Sequence, residues 1–376
     1  MKKIWYCLLM IGLAFSLVLS GCKAPEKPAP PATPPAPKPA PAPAPPAPAP
    51  SEWDKVLAAA KKEGTVNIYN TLGADVTDTL RDEMMKAHGI KVEIVSGRSM
   101  AMVEKMRVEH GSEIHVADLF CTGLSLCVLA MEHGLGAPIT VTLPAAEEKD
   151  VWRTQPHEVG GGEWVTISNA VSISIIINTD LVKKGEITSW NDLLDPKWKG
   201  KMVMTDPRKS GPGSGQMYTW GERLGEDFWK KMAEQDIQLQ AKYGQVIDMV
   251  VHGERPVGLF PAGSRTAPAL EAGAPISVAH FKEGTPTIPK GFMLMKNAPH
   301  PNAALVLINW TLTKEGQAAT SKAWGTPTIR KDVVEDWVLP GFRFEDTFKI
   351  IEPPLGAKDA DYGQIGIAFA KKIWPE

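Results

Sequence analysis

The residues able to do chemistry in this chain sit in short loops of small side chains, each ahead of a stretch with helical spacing. Thr71, Leu72 and Gly73 follow the strand-like Val66–Tyr69, Gly97, Arg98 and Ser99 follow Lys91–Val95, and Cys121, Thr122 and Gly123 follow Val116–Phe120. A glycine-rich run, Ser210, Gly211, Pro212, Gly213, Ser214 and Gly215, precedes another helix with Arg208 beside it, and Ala262 and Ser264 leave the strand-like Pro256–Phe260. A helix start offers unpaired N–H donors and a positive partial charge. Hydroxyls add donors, glycine lets a ligand approach the backbone, and arginine can clamp a carboxylate or phosphonate with two parallel bonds. That chemistry captures an anion; it does not transform one. Each loop taken alone also has a structural reading as a turn, and Arg98 and Arg208 have one as surface charges. The occurrence of such loops in both halves of the chain is what points to anion binding.

Other chemistries lack their residues. The glycine-rich run has no Lys-Ser or Lys-Thr ending, so it is not a nucleotide-binding P-loop. Gly211 to Gly215 places Ser214 out of register for a Gly-x-Ser-x-Gly elbow, and no acidic pair stands at strand ends for glycoside hydrolysis. The 8 histidines are scattered without ligand spacing, so no metal site and no cofactor are expected. Most of the 12 tryptophans read as core; Trp164 or Trp324 is the candidate to line a cleft and stack on a planar ligand.

The elements that must hold these loops alternate between strand and helix. Ser51 caps a helix over Trp53–Lys62 that Gly64 stops. Strands at Val66–Tyr69, Lys91–Val95 and Val116–Phe120 are separated by helices ending near His88 and Glu109. Trp164–Ile177 reads as one long strand, Lys201–Thr205 and Pro256–Phe260 as short ones, with helices at Gln216–Leu224, Phe228–Glu234 and Gln245–Val251. This rhythm predicts α/β lobes with mostly parallel sheets covered by helices. The body from Ser51 to Glu376 is long enough for two lobes. With Lys+Arg of 41 against Asp+Glu of 43, net charge −2, no basic stripe exists to bind nucleic acid.

The first fifty residues say where the chain works. Lys2 and Lys3 precede an apolar run from Ile4 to Leu19, the pattern of a secretory signal. Leu19-Ser20-Gly21-Cys22 resembles the lipobox of bacterial lipoproteins, which implies cleavage after residue 21 and a lipid on Cys22. From Lys23 to Pro50 the sequence is mainly proline and alanine, which cannot build helix or sheet. As polyproline II it would reach about 85 Å, a stalk between membrane and body; a Pro-rich ligand for a partner's groove is the competing reading. Cys121 and Cys127 fit neither a zinc site nor a Cys-x-x-Cys motif and are expected as two buried thiols, with a disulfide between them as the alternative.

Trp53–Gly64, Asn191–Lys201, Gly225–Lys231 and Lys296–Ala304, the last running on through Trp310 to Gln317, resemble the extracellular solute-binding proteins of ABC importers. They are most similar to the branch of ferric-ion and related small-ligand binders, and the likeness covers Trp53 to about Val334. The resemblance implies a two-lobed clamshell of type II, a monomer that closes on a ligand and docks on an ABC permease. It divides the chain into a signal (1–21), a lipidated stalk (22–50), a first lobe (51–155 and 262–300) and a second (156–261 and 301–376). Ferric-ion members carry adjacent tyrosines just past the strand that here is Pro256–Phe260; this chain has Pro261 to Ser264 instead. The expectation is therefore a binding protein rather than an enzyme, anchored by lipid to the cell membrane on its extracytoplasmic side, that delivers a small anion to an importer. A ligand sensor presenting its closed form to a membrane receptor, or a surface-anchored hydrolase, is the alternative.

Overall fold

The computed structural model describes residues 50–72, 76–156, 158–159, 161–345, 348–352 and 362–375. Cys22, the signal, the stalk up to residue 49 and Gly73 lie outside the described residues. No helix among those described is long and apolar enough to cross a membrane.

Strands in chain order are β1 (Thr65–Asn70), β2 (Lys91–Ser96), β3 (Leu119–Gly123), β4 (Glu158–Val159), β5 (Trp164–Val171) and β6 (Ile175–Asn178). Then follow β7 (Met202–Thr205), β8 (Gln238–Gln240), β9 (Val257–Leu259), β10 (Ile276–Ala279), β11 (Thr285–Leu294) and β12 (Ile350–Ile351). They form two sheets. The first runs β2-β1-β3-β11-β5-β4, with β12 on the start of β11; the second runs β10-β6-β9-β7-β8.

Each sheet has helices on both faces, and the strand period of two shows which residues go where. In β1, Val66 and Ile68 enter one apolar cluster with the helix Pro301–Leu312, while Tyr69 enters another with the helices Ser99–Gly111 and Leu124–Glu132. In the second sheet Met202 and Met204 of β7 face a tryptophan-rich cluster around Trp190, Trp220 and Trp229, and Val203 faces the helix Tyr243–Val251. Local signals close the elements as the sequence predicts. Ser51 and Asp54 form a reciprocal cap on the helix Glu52–Glu63, and Gly64 ends it at φ 67°.

Three expectations change. The sheets are mixed rather than mostly parallel: β1 pairs parallel with β2 and β3, and β7 with β8 and β9, whereas β11 runs antiparallel to β3 and β5. The strands that carry the chain from one lobe to the other arrive in the reverse direction. The apolar run Trp164–Ile177 is two strands, β5 in the first sheet and β6 in the second, so the chain crosses between them. The expected lobe boundaries move accordingly. Residues 161–171 and the helices Pro301–Leu312 and Lys314–Trp324 pack with the first sheet, and residues 263–279 with the second. A run of apolar residues identifies a buried strand without identifying its neighbours.

Among the described residues, three stretches pass between lobes side by side. The Ser172 N–H donates to Pro286 O at 2.8 Å and the Thr285 N–H to Lys349 O at 2.8 Å. Gly284, at φ 133°, lies so close to Ile351 that a Cβ would stand 2.6 Å from its side chain. The helix Tyr362–Ile373 then packs on the helix Pro212–Leu224, with Gly366 against the Ser214 carbonyl where no Cβ fits.

Candidate functional site

A cavity of about 850 Å³ opens between the two sheets, next to these crossings. From the first sheet it is lined by Gly123, Leu124 and Ser125, by β11 from Pro286 to Lys290, and by Trp324 and Trp337. From the second it is lined by Gly211, Pro212, Gly215 and Tyr218, by Ala262 and Ser264, and by Tyr362.

Three helices begin at its wall. Gly123 is the N-cap of Leu124–Glu132, Gly211 that of Pro212–Leu224 and Ala262 that of Gly263–Glu271. The caps Gly123 and Ala262 make no side-chain hydrogen bond to their helices. Lys290 is opposite Gly123 in the β3–β11 register, which places a cation on the strand beside the first helix start. Its ammonium lies 5.3 Å from the centroid of the Trp324 ring. Burial pushes the Cys121 thiol up to about 12 even though the Lys290 charge pulls the other way. Glu271, at the far end of the helix Gly263–Glu271, also borders the cavity.

Much of the remaining polar lining is already engaged. Gln216 donates from Nε2 to Ser172 Oγ at 2.7 Å and to Ile173 O at 3.0 Å, and accepts at Oε1 from Ser174 Oγ and Trp220 Nε1. Thr219 donates to Gly215 O, Thr287 to Ile351 O, and Thr326 shares a hydrogen bond with Ser168. Trp324 Nε1 is buried with no acceptor.

The loops expected to hold ligand divide. Gly123, Gly211, Gly215, Ala262 and Ser264 line the cavity. Thr71, Leu72, Gly97, Arg98, Ser99, Thr122, Ser210 and Ser214 do not. The sheet order explains the first group of absences. The cavity sits over β3, β11 and β5, whereas β1 and β2 lie beyond β3; with strands about 4.8 Å apart, the loop after β2 is roughly 14 Å from β11. Arg98 and Ser99 there are exposed. Thr71 and Thr122 instead bond each other at 2.8 Å, and Leu72 packs on the core. Thr122 lies within β3, not in a loop, because the strand starts three residues later than its apolar pattern suggests. Buried Asp118, which accepts from Asn67 N and His300 N, immediately precedes the strand at the end away from the cavity. Ser214 belongs to the first turn of its helix and closes a local ring with Gly211, donating to its carbonyl at 3.0 Å. Arg208 bonds Asp206 at 2.9 and 3.0 Å and reaches Trp374 O. Burial raises the Asp206 carboxyl, and the Arg208 contacts outweigh it to leave a net lowering. Trp324 lines the cavity, whereas Trp164 is fully buried with its Nε1 on Thr166 Oγ1.

Sequence reasoning did not reach Lys290, Tyr218, Trp337 or Tyr362. Lys290 follows Pro289 and precedes Gly291, which reads as a turn although it lies mid-strand.

Residues 79–340 match the family described as bacterial extracellular solute-binding protein. The chain belongs to that family. Its members bind solutes and deliver them to ABC permeases; they are not enzymes. An uncharacterized protein of Haemophilus influenzae is 30% identical over 152 residues, 38% of this chain and 43% of that protein's length. The iron uptake protein A1 of Synechocystis is 20% identical over 267 residues, 67% of this chain and 72% of that one. Among solved structures, the Trichodesmium protein in complex with iron and citrate superposes with a TM-score of 0.66 over 83% of this chain and all of its own, at 18% identity. That likeness is one of fold: a two-lobed α/β binding protein.

Proposed function

We propose that this solute-binding protein is held to the extracytoplasmic face of the membrane by lipid on Cys22 and captures a small anion between its lobes for an ABC importer. The observation that carries the anion reading is the meeting of three helix N-termini, from both lobes, in one cavity bordered by Lys290. Such ends attract negative charge, and a ligand touching both lobes stabilises the closed form relative to the open one. The anchor reading rests on the residues Lys2 to Cys22 and on the proline-rich segment behind them.

A thermal-shift panel of carboxylates, phosphonates, sugars, polyamines and ferric salts tests the ligand class. A ligand at a hundred times its Kd adds about 2.7 kcal/mol to stability. The expected result is a shift with a carboxylate or phosphonate that Lys290→Met reduces. A shift confined to sugars or polyamines would overturn the anion reading. Metabolic labelling with a radioactive fatty acid, expected to be lost in Cys22→Ala, tests the anchor.

A second reading, a ferric ion held together with an anion, has two observations behind it. Tyr218 and Tyr362 both line the cavity with ring centroids 5.8 Å apart, and the structure of the Trichodesmium protein of the same fold is a complex with iron and citrate. Phenolate oxygen suits hard ferric ion. A tyrosinate-to-iron colour that appears with ferric citrate and disappears in Tyr218→Phe would decide for it.

A further inference from the structure

We infer that the captured anion carries a planar aromatic body, held against Trp324 with its charged group at Lys290. This inference rests on the anion reading above and goes further, to the class of molecule.

Size comes first. About 850 Å³ is the volume of a pocket for a drug-sized molecule. Acetate or methylphosphonate would leave most of it filled by water. The lining comes second. Five aromatic side chains, Trp324, Trp337, Tyr218, Tyr362 and Phe342, border the space, and aliphatic Val128, Val171, Ile173, Ile288 and Leu339 fill in between. They come from both lobes and from the C-terminal helix, so a flat apolar body would be sandwiched on closure.

The polar inventory comes third, and it argues against a sugar. Recognising many hydroxyls needs many uncommitted side-chain donors and acceptors, because each buried polar group left unpaired is costly. Here Gln216 has both ends of its amide occupied, and Ser172, Thr219, Thr287 and Thr326 all bond protein groups. What remains among the described residues is concentrated at the helix starts. The geometry of Lys290 is the fourth point. Lys290 stands beside the first helix start and 5.3 Å from the Trp324 ring. A ligand whose anionic group meets Lys290 therefore has its adjoining carbon skeleton within stacking reach of the indole.

Isothermal titration of the full-length chain with phenylphosphonate and methylphosphonate isolates the ring, since both probes present the same head group. The expected result is at least a ten-fold tighter Kd for phenylphosphonate. Trp324→Ala should bring the two probes to within about threefold, while Trp324→Phe, which keeps a ring, retains most of the preference. Tyr362→Leu, at a more exposed position on the opposite wall, gives a second variant should Trp324→Ala fail to fold. Equal affinity of the unmodified chain for both probes would overturn the aromatic inference and leave the anion reading standing. Benzyl alcohol binding as tightly as phenylphosphonate would overturn both. Absence of phenylphosphonate binding at millimolar concentration also overturns the inference, and methylphosphonate binding in that case preserves the anion reading.

Discussion

Gln216 ties the cavity wall to the crossing between lobes, and its replacement by leucine gives a measurable consequence. The residue is buried, and its amide makes four hydrogen bonds: to Ser172 Oγ at 2.7 Å, to Ile173 O at 3.0 Å, from Ser174 Oγ at 2.9 Å and from Trp220 Nε1 at 3.0 Å. Residues 172–174 are the first strand-to-strand crossing. In Gln216→Leu the Ile173 carbonyl and the Ser172 hydroxyl lose their donor. Trp220 Nε1 keeps Ser174 Oγ as its acceptor, at 2.9 Å, while the Ser174 hydroxyl proton loses Gln216 Oε1. Each buried polar group left unpaired costs about 1–3 kcal/mol. Burial of extra apolar surface by leucine offsets about 1 kcal/mol. The net loss is therefore about 2–3 kcal/mol, which for a body of this size lowers Tm by roughly 3–4 °C. Urea unfolding followed by tryptophan fluorescence and circular dichroism reads it. A second substitution, Ser174→Ala, should be non-additive with the first by more than about 0.5 kcal/mol, because the two share the network. Loss of less than about 0.5 kcal/mol in Gln216→Leu, the range of ordinary surface changes, would refute the claim that this amide fixes the crossing.

Three further outcomes follow from the same reasoning. Arg330, 2% exposed, bonds Asp332, Glu148 and Leu312 O and stacks on Trp152; Arg330→Met should cost about 2–3 kcal/mol in urea unfolding, since it strips charge-assisted bonds and leaves a buried carbonyl unpaired. His280, between Gly341 O and Thr285 Oγ1 at a crossing, has its pKa lowered by burial, against the opposing pull of the Gly341 hydrogen bond and Glu345. The unfolded chain thus binds the proton more readily: stability is full above pH 6.5 and is lost as pH falls from there through the lowered folded-state value. Unfolding midpoints between pH 5 and 8 should show that slope, with His280→Gln flattening it in part; His88, also lowered by burial, keeps the remainder. Cys121 and Cys127 are free and buried with their thiols raised by desolvation, so a thiol reagent at pH 8 should reach these two only after denaturant is added, read by peptide mapping. They lie in clusters on opposite faces of the first sheet, so a native disulfide found by mass spectrometry would contradict the fold.

Covalent and local physics made part of this protein legible from its residues alone. Ser51 and Gly64 bound a helix because a cap is satisfied within three or four residues. Alternating strand and helix patterns announce an α/β body, and small residues ahead of helices marked Gly123, Gly211, Gly215, Ala262 and Ser264, which line the cavity. What required the tertiary structure was adjacency. Periodicity shows that β5 is buried without showing that it pairs with β11 rather than β6, so the lobe boundaries and the crossings were out of reach. Pro286, Pro289 and Gly291 disguise β11 as a turn, because proline removes a ladder donor and belongs at strand edges in most sheets. That disguise hid Lys290. Arg98 looks like an anion clamp in sequence and lies exposed beyond β1 in space. A side chain's type sets the bond it can make; strand order, built from contacts among residues far apart in the chain, sets which groups share a cavity.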